Sequence, residues 1–241
     1  MVLSTPTMVA EAAADRIVGA ARNAIRRRGR FRLALSGGST PRAIYRLLAA
    51  VPRVGLVDWS RAEFFWGDER AVPPDHPESN FGLARALLLD LLPGVTPGAI
   101  HRMPADARDR DAAARGYQGE IARSFELAAG TSRPPRFDLV WLGMGRDGHT
   151  ASLFPGSTAL AEGRRWVVAT WAPLPAGWRM TFTLPLINAA RAVLFVATGA
   201  DKARALQSVR SGSLALPAGR VRARSTLWLV DAHAGQAEVA S

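Results

Sequence analysis

The chain has 241 residues, 48% hydrophobic and 21% charged, which fits one large globular domain, spanning 1–241, with a sizeable core. It contains no cysteine, so disulfide scaffolds, thiolate zinc sites, redox pairs and cysteine nucleophiles are excluded together. A net charge of +11 with a pI near 11.5 raises nucleic acid as a partner, but the arginines are scattered along the whole chain without RNP-type aromatic runs or zinc-finger spacings, and the reading is a basic field that steers a small anion.

Residues 8–28 carry Val9, Ala13, Ile17, Ala20, Ala21 and Ile25 at helical spacing, which predicts a long amphipathic helix. Glu11, Asp15 and Arg16 inside it are incompatible with the apolar core of a signal peptide, so a cytoplasmic protein that does not enter membranes is expected. FRLAL at 31–35 reads as a buried strand. SGGST follows, with Thr40 as N-cap and Pro41 at the first position of a helix reaching about Ala50. EFFW at 63–66 is a second strand, NFGLARALLLDLL after Ser79 a helix, and Asp109 to Ala128 another helix. FDLVWLG at 137–143 is a third strand between a TSRPPR loop and a glycine-rich turn. WVVATW, MTFTL, AVLFVAT and TLWLV are further strands, with a helix over about Asp201 to Val209. This alternation predicts a single-domain, Rossmann-like α/β fold, its largely parallel sheet covered by helices on both faces. Ligands of such sheets bind beyond the carboxyl ends of strands, so the loops after Leu35, Trp66, Leu142 and Thr198 are where chemistry is expected.

Several motifs fall there. GMGRDG at 143–148 matches the dinucleotide pattern G-x-G-x-x-G, but it runs into HTASLFPGS, broken by Pro155 and Gly156, instead of opening a helix, which argues against a nicotinamide cofactor. SGGST lacks the glycine before the serine that a nucleophile elbow needs and the G-K-[ST] ending of a Walker loop. It remains either a tight strand-to-helix turn or an anion cradle. His76, His101, His149 and His233 have no metal-ligand spacing, and three of them read as structural loop residues. His149 differs, since it follows a strand in RDGHTASLFP, with Asp147 two residues earlier able to orient its ring. Asp68, Glu69 and Arg70 form either a surface ion pair or a clamp for a polar substrate. Lys202 is the sole lysine, every other cationic side chain being arginine.

LALSGGSTPRAIYRLL, FFWGDERAVPPDHPESNFGLA, FDLVWLGMGRDGHTASLFPGS, WRMTFTLPLINAA and ATGADKARAL, in that order, resemble the 6-phosphogluconolactonase family over about residues 8–231. The resemblance implies hydrolysis of 6-phospho-D-glucono-1,5-lactone to 6-phosphogluconate in the oxidative pentose phosphate pathway, with no cofactor and no metal. It also implies roles. Gly37, Gly38, Ser39 and Thr40 hold the phosphate, helped by Arg179 and Lys202; His149, oriented by Asp147, activates water; Asp68 and Arg70 hold sugar hydroxyls or the developing oxyanion. The related glucosamine-6-phosphate deaminases share the glycine turn, the D-G-H element and the lysine. Where their pattern has a glutamate before proline, this chain has Phe154, which favours the lactonase. Two alternatives stay open, a basic nucleic-acid binder and a sugar-phosphate sensor without turnover, though for the sensor only one helix precedes the first strand, too little for a DNA-binding helix pair.

Overall fold

The computed structural model describes residues 1–128, 130–173 and 175–236, so residues 237–241 of the expected unit lie outside the described residues. A short strand, β1 (Val2–Leu3), precedes α1 (Pro6–Arg28). Each end of α1 is written in local chemistry. Thr5 accepts from the Met8 N–H at 3.2 Å with Pro6 at the first position, and Gly29 closes the helix at φ 75° after Arg26, Arg27 and Arg28. Its buried stripe, Val9, Ala13, Ile17, Ala21 and Ala24, packs toward the core against α2 (Ser39–Ala49) and the sheet.

The remaining elements are β2 (Phe31–Leu35), β3 (Ala62–Trp66), β4 (Asp68–Arg70), α3 (Asn80–Leu87), α4 (Arg110–Ser124), β5 (Leu139–Leu142), α5 (Thr158–Ala161), β6 (Val167–Pro173), β7 (Ala176–Phe182), α6 (Leu184–Ala189), β8 (Val193–Ala197), α7 (Ala203–Arg210), β9 (Thr226–Asp231) and α8 (Ala232–Gly235). Six strands in the order β1-β9-β8-β5-β2-β3 form one sheet, and every pair in it is parallel. The expected α/β class with a parallel sheet flanked by helices is therefore what the chain adopts. Both β5 and β8 are buried at every residue, as a strand covered on both faces must be. Phe195 of β8 stacks on Trp228 of β9 with ring centroids 3.9 Å apart, and Trp141 meets Tyr45 edge-on at 5.4 Å, tying α2 to the sheet.

The structure corrects several expectations. The strands read at WVVATW and MTFTL leave the parallel sheet and form a second, antiparallel one, in the order β4-β7-β6. Their burial marks the difference, since along β6 it breaks down into alternation while β5 and β8 stay buried throughout. The helix after Ser79 ends at Leu87 and passes into a tighter turn over Leu89–Leu91, and the next stops at Ser124 rather than Ala128. Thr40 is not an N-cap. The helix begins one residue before it, at Ser39, with Gly38 in the capping position at φ 101°, a conformation open to glycine, and no side chain caps it.

His101, read as a structural loop histidine, sits in an ionic cluster below β3. Its ring stacks on Phe65 at 4.3 Å, its Nδ1 lies 2.8 Å from Glu120 and its Nε2 3.5 Å from Glu63. Burial alone would lower its pKa, but the two glutamates outweigh burial and raise it to about 9. A histidine pKa raised on folding stabilises the fold fully below its unfolded value of about 6.5, and the contribution is lost as pH climbs through about 9. Chemical denaturation should therefore show His101→Gln costing about 2 kcal/mol at pH near 6 and much less above pH 9.5. A cost independent of pH would show that the cation is not what stabilises the cluster.

Candidate active site

Chain connectivity places the site. From β2 the chain passes through α2 to β3 on one side, whereas β5 lies on the other side of β2 and continues to β8, so the strand order reverses between β2 and β5. At this switch point, beyond the carboxyl ends of the strands, lies a cavity of about 420 Å³. Its walls include Gly37, Gly38, Ser39, Thr40, Asp68, Arg70, His149, Arg179 and Lys202. Asp147 is the one expected site residue that does not line the cavity; it stands behind His149.

The turn from Gly37 to Thr40 enters α2 without a capping side chain, and among the described residues the N–H groups of these four find no protein acceptor. Unspent N–H groups at a helix start form an anion cradle, so of the two readings of SGGST this geometry favours the cradle. Freed from capping, the Thr40 hydroxyl lies 3.3 Å from that of Thr198, joining the turn to the loop after β8. That loop bends at Gly199, whose N–H donates to the buried carboxylate of Asp231 at 3.0 Å, and it carries Lys202 to the cavity wall. Lys202 donates to Asp201 at 2.7 Å.

Between β5 and α5 the chain makes turns only, as expected from the failed dinucleotide pattern: Gly148 donates its N–H to Gly145 and Gly145 to His149. His149 Nδ1 lies 2.6 Å from Asp147 Oδ1, and the His149 N–H donates to the same oxygen at 3.2 Å. Burial opposes ionisation of Asp147, but the charge and hydrogen bonds of His149 prevail and hold its pKa below the usual aspartate value. The carboxylate thus fixes Nδ1 as the donor and leaves the lone pair on Nε2. Gly145 makes room for this pair, because a Cβ there would lie 2.1 Å from the imidazole. Phe154, only 4% exposed, packs against the ring at a tilt of 36° with centroids 4.5 Å apart.

Asp68, Glu69 and Arg70 are not a strand end but a strand, β4, and period-two alternation divides their labour. Asp68 and Arg70 line the cavity. Glu69 is buried and accepts from the N–H groups of Asn80 at 2.9 Å and Phe81 at 2.7 Å and from the Ser79 hydroxyl at 3.1 Å, anchoring the start of α3. Burial raises its pKa despite these bonds. Three further residues escaped the sequence reading. Asn80 donates to the Asp68 carbonyl at 2.9 Å and accepts from Arg70 at 2.9 Å, and Ser152 donates to the Asp68 carboxylate at 2.5 Å. Ala151 between His149 and Ser152 takes φ 48°, a left-handed conformation costly for a residue with a Cβ, found here at the cavity wall. A serine after E at 78–80 signals the cap of α3, but only the fold turns Asn80 toward Asp68.

Arg179 reaches the cavity from β7, directly opposite Arg70 in the strand register. It is 7% exposed and makes no hydrogen bond or ion pair among the described residues. Burial lowers its pKa, with Asp68 working against that and Arg70 adding to it. A buried, unspent guanidinium thus lines the same cavity as the open helix start, and both can serve an anionic ligand.

Known proteins resemble the chain in both sequence and fold. Residues 4–228 match the family described as glucosamine-6-phosphate isomerases/6-phosphogluconolactonase. A 6-phosphogluconolactonase of Synechocystis is 42% identical over 88% of this chain and 87% of its own. A solved 6-phosphogluconolactonase from Trypanosoma cruzi superposes with a TM-score of 0.86 at 30% identity, covering 100% of this chain and 96% of that one. A monomeric glucosamine-6-phosphate deaminase, at 20% identity and a TM-score of 0.80 over 97% of both chains, shares the fold.

Proposed function

Since the chain belongs to the glucosamine-6-phosphate isomerase/6-phosphogluconolactonase family, we infer that it is an enzyme hydrolysing 6-phospho-D-glucono-1,5-lactone to 6-phospho-D-gluconate, a step of the oxidative pentose phosphate pathway. The observation that carries the reading within the family is Phe154. Where the deaminase pattern places a carboxylate, an aromatic ring packs against the imidazole, so the proton relay for opening an amino sugar lacks its acid. A lactone needs no such relay. Its carbonyl is attacked by water, and one base suffices.

In this reading the phosphate rests on the Gly37, Gly38, Ser39 and Thr40 N–H groups, with positive charge from Lys202 and Arg179. The sugar ring then spans the cavity toward His149. The Nε2 of His149 takes a proton from water as its oxygen attacks the lactone carbonyl, and the imidazolium so formed is stabilised by Asp147. Asp68, held by Ser152 and Asn80, accepts hydrogen bonds from sugar hydroxyls, and Arg70 offsets charge gathering on the carbonyl oxygen. Collapse of the tetrahedral intermediate breaks the ring C–O bond, and the His149 proton passes to the departing hydroxyl. The single domain over 1–241 acts on a phosphosugar lactone, not on nucleic acid or membrane. No helix among the described residues is long and apolar enough to cross a membrane, and the absence of cysteine suits a reducing cytoplasm.

The decisive assay generates the lactone freshly, couples 6-phosphogluconate formation to its dehydrogenase and subtracts spontaneous hydrolysis, with glucosamine 6-phosphate deamination measured in parallel. Lactone turnover without ammonia release is the expected result. Ammonia release at a comparable rate would overturn the reading of Phe154, and binding without turnover would make the protein a sensor.

A further inference from the structure

Much of the positive charge that the lactone pocket does not use gathers at the opposite end of the parallel sheet. There the amino ends of β2, β5 and β8 open into a second cavity of about 490 Å³, large enough for a nucleotide-sized ligand. Strands of five residues hold the two cavities about 15 Å apart. Arg28, Arg30, Arg32, Arg133, Arg136 and Arg191 line it, against two carboxylates, Glu126 and Asp138.

Both carboxylates are already engaged. Asp138 accepts from the Arg32 N–H at 2.9 Å and pairs with Arg28 at 2.8 Å and Arg191 at 3.4 Å, while Glu126 pairs with Arg30 at 3.0 Å. Glu63, behind the wall, is shared among Arg30, Arg32 and His101. The guanidiniums are left in excess. Arg133 has no ion pair or hydrogen bond among the described residues, and the Nε atoms of Arg32 and Arg191 are buried facing Glu63 at 3.3 Å and Asp138 at 3.4 Å without completing a hydrogen bond to either. Burial, joined by the charge of Arg28, lowers the pKa of Arg191, and burial with Arg30 does the same to Arg32. The cluster repels itself. It is nonetheless held in place, since Arg32 lies 4.2 Å over the ring of Phe125 and Pro134 and Pro135 stiffen the loop that carries Arg133 and Arg136.

Converging guanidinium forks with unspent donors match adjacent phosphate groups, whose oxygens each take two parallel N–H bonds. Their arrangement around a concavity, instead of along a ridge, suits a compact anion rather than a nucleic-acid strand. We propose that this cavity is a second anion site, separate from the lactone pocket, for a small ligand carrying two or more linked phosphates.

Calorimetric titration of inorganic triphosphate and of ATP into the full chain carrying Lys202→Met, which weakens phosphate binding in the lactone pocket, tests it. Saturable one-site binding is expected, weakened about tenfold or more by Arg133→Glu and by Arg191→Glu. Arg133→Gln, which removes a charge that has no partner to lose, should weaken it less, and none of the three should alter lactone turnover in the otherwise unchanged enzyme. Equal affinities for triphosphate and ATP would identify the phosphate chain as the recognised group, and tighter ATP binding would add the nucleoside. No binding at about 0.15 M salt, binding indifferent to all three substitutions, or displacement of triphosphate by a more tightly held single-stranded RNA would overturn it.

Discussion

His149→Ala is expected to lower kcat by about 10² to 10⁴ fold while changing KM little, because a general base acts in the transition state and the phosphate is held elsewhere in the cavity. The geometry makes the prediction specific. Asp147 fixes Nδ1 at 2.6 Å, so the only basic atom the ring offers the cavity is Nε2. Asp147→Asn should therefore lower kcat as well, since an amide can present its NH₂ to Nδ1 and reverse the tautomer, and it cannot stabilise an imidazolium. Wild-type turnover in a folded His149→Ala protein would end the assignment, and an Asp147→Asn enzyme with unchanged kcat would leave Asp147 a turn-forming residue only.

What the sequence disclosed and what it concealed follow from how local each cause is. A strand covered on both faces announces itself, as VLFVA does in β8, and a histidine two residues after an aspartate in a glycine-bounded turn needs no tertiary information to suggest an oriented imidazole. Separating the antiparallel sheet from the parallel one requires knowing which strands find each other, and the three charged residues of β4 carry no apolar pattern by which to recognise a strand. The pull of Glu69 away from Asp68 and Arg70 is visible only once that strand exists. Asn80 and Ser152 bond Asp68 from 12 and 84 residues away, so no window of sequence contains the clamp they complete. Thr40 shows the converse error. Its Thr-Pro pair is a sound capping signal, yet Gly38 took the cap position, and the start of α2 was left open on the cavity.

The sole lysine leads to the sharpest measurement. Lys202→Met should raise KM for the phosphorylated lactone by the loss of a charge-assisted contact, about 1.5 to 3 kcal/mol or 10- to 150-fold, and should matter far less for unphosphorylated gluconolactone. The structure adds a second contribution to that loss. Lys202 neutralises Asp201 at 2.7 Å, so without the ammonium a carboxylate faces the incoming phosphate, and Asp201→Asn placed on top of Lys202→Met should recover part of the affinity. Lys202→Arg should recover part as well, because a planar fork replaces a point charge on the same wall. Arg179 is the comparison. Buried with no hydrogen bond or ion pair among the described residues, it feels Asp68 only at a distance, so Arg179→Met unpairs no carboxylate, and a second substitution should rescue it less than Asp201→Asn rescues Lys202→Met. Measured on both lactones, the two residues form substrate-by-mutant cycles in which the phosphate and each cation are removed singly and together. A penalty that persists undiminished on the unphosphorylated lactone would mean that the cation tested reads the sugar or the carbonyl instead. For Arg179, lying opposite Arg70 in the register, that outcome would move its charge from the phosphate to the reacting end of the substrate.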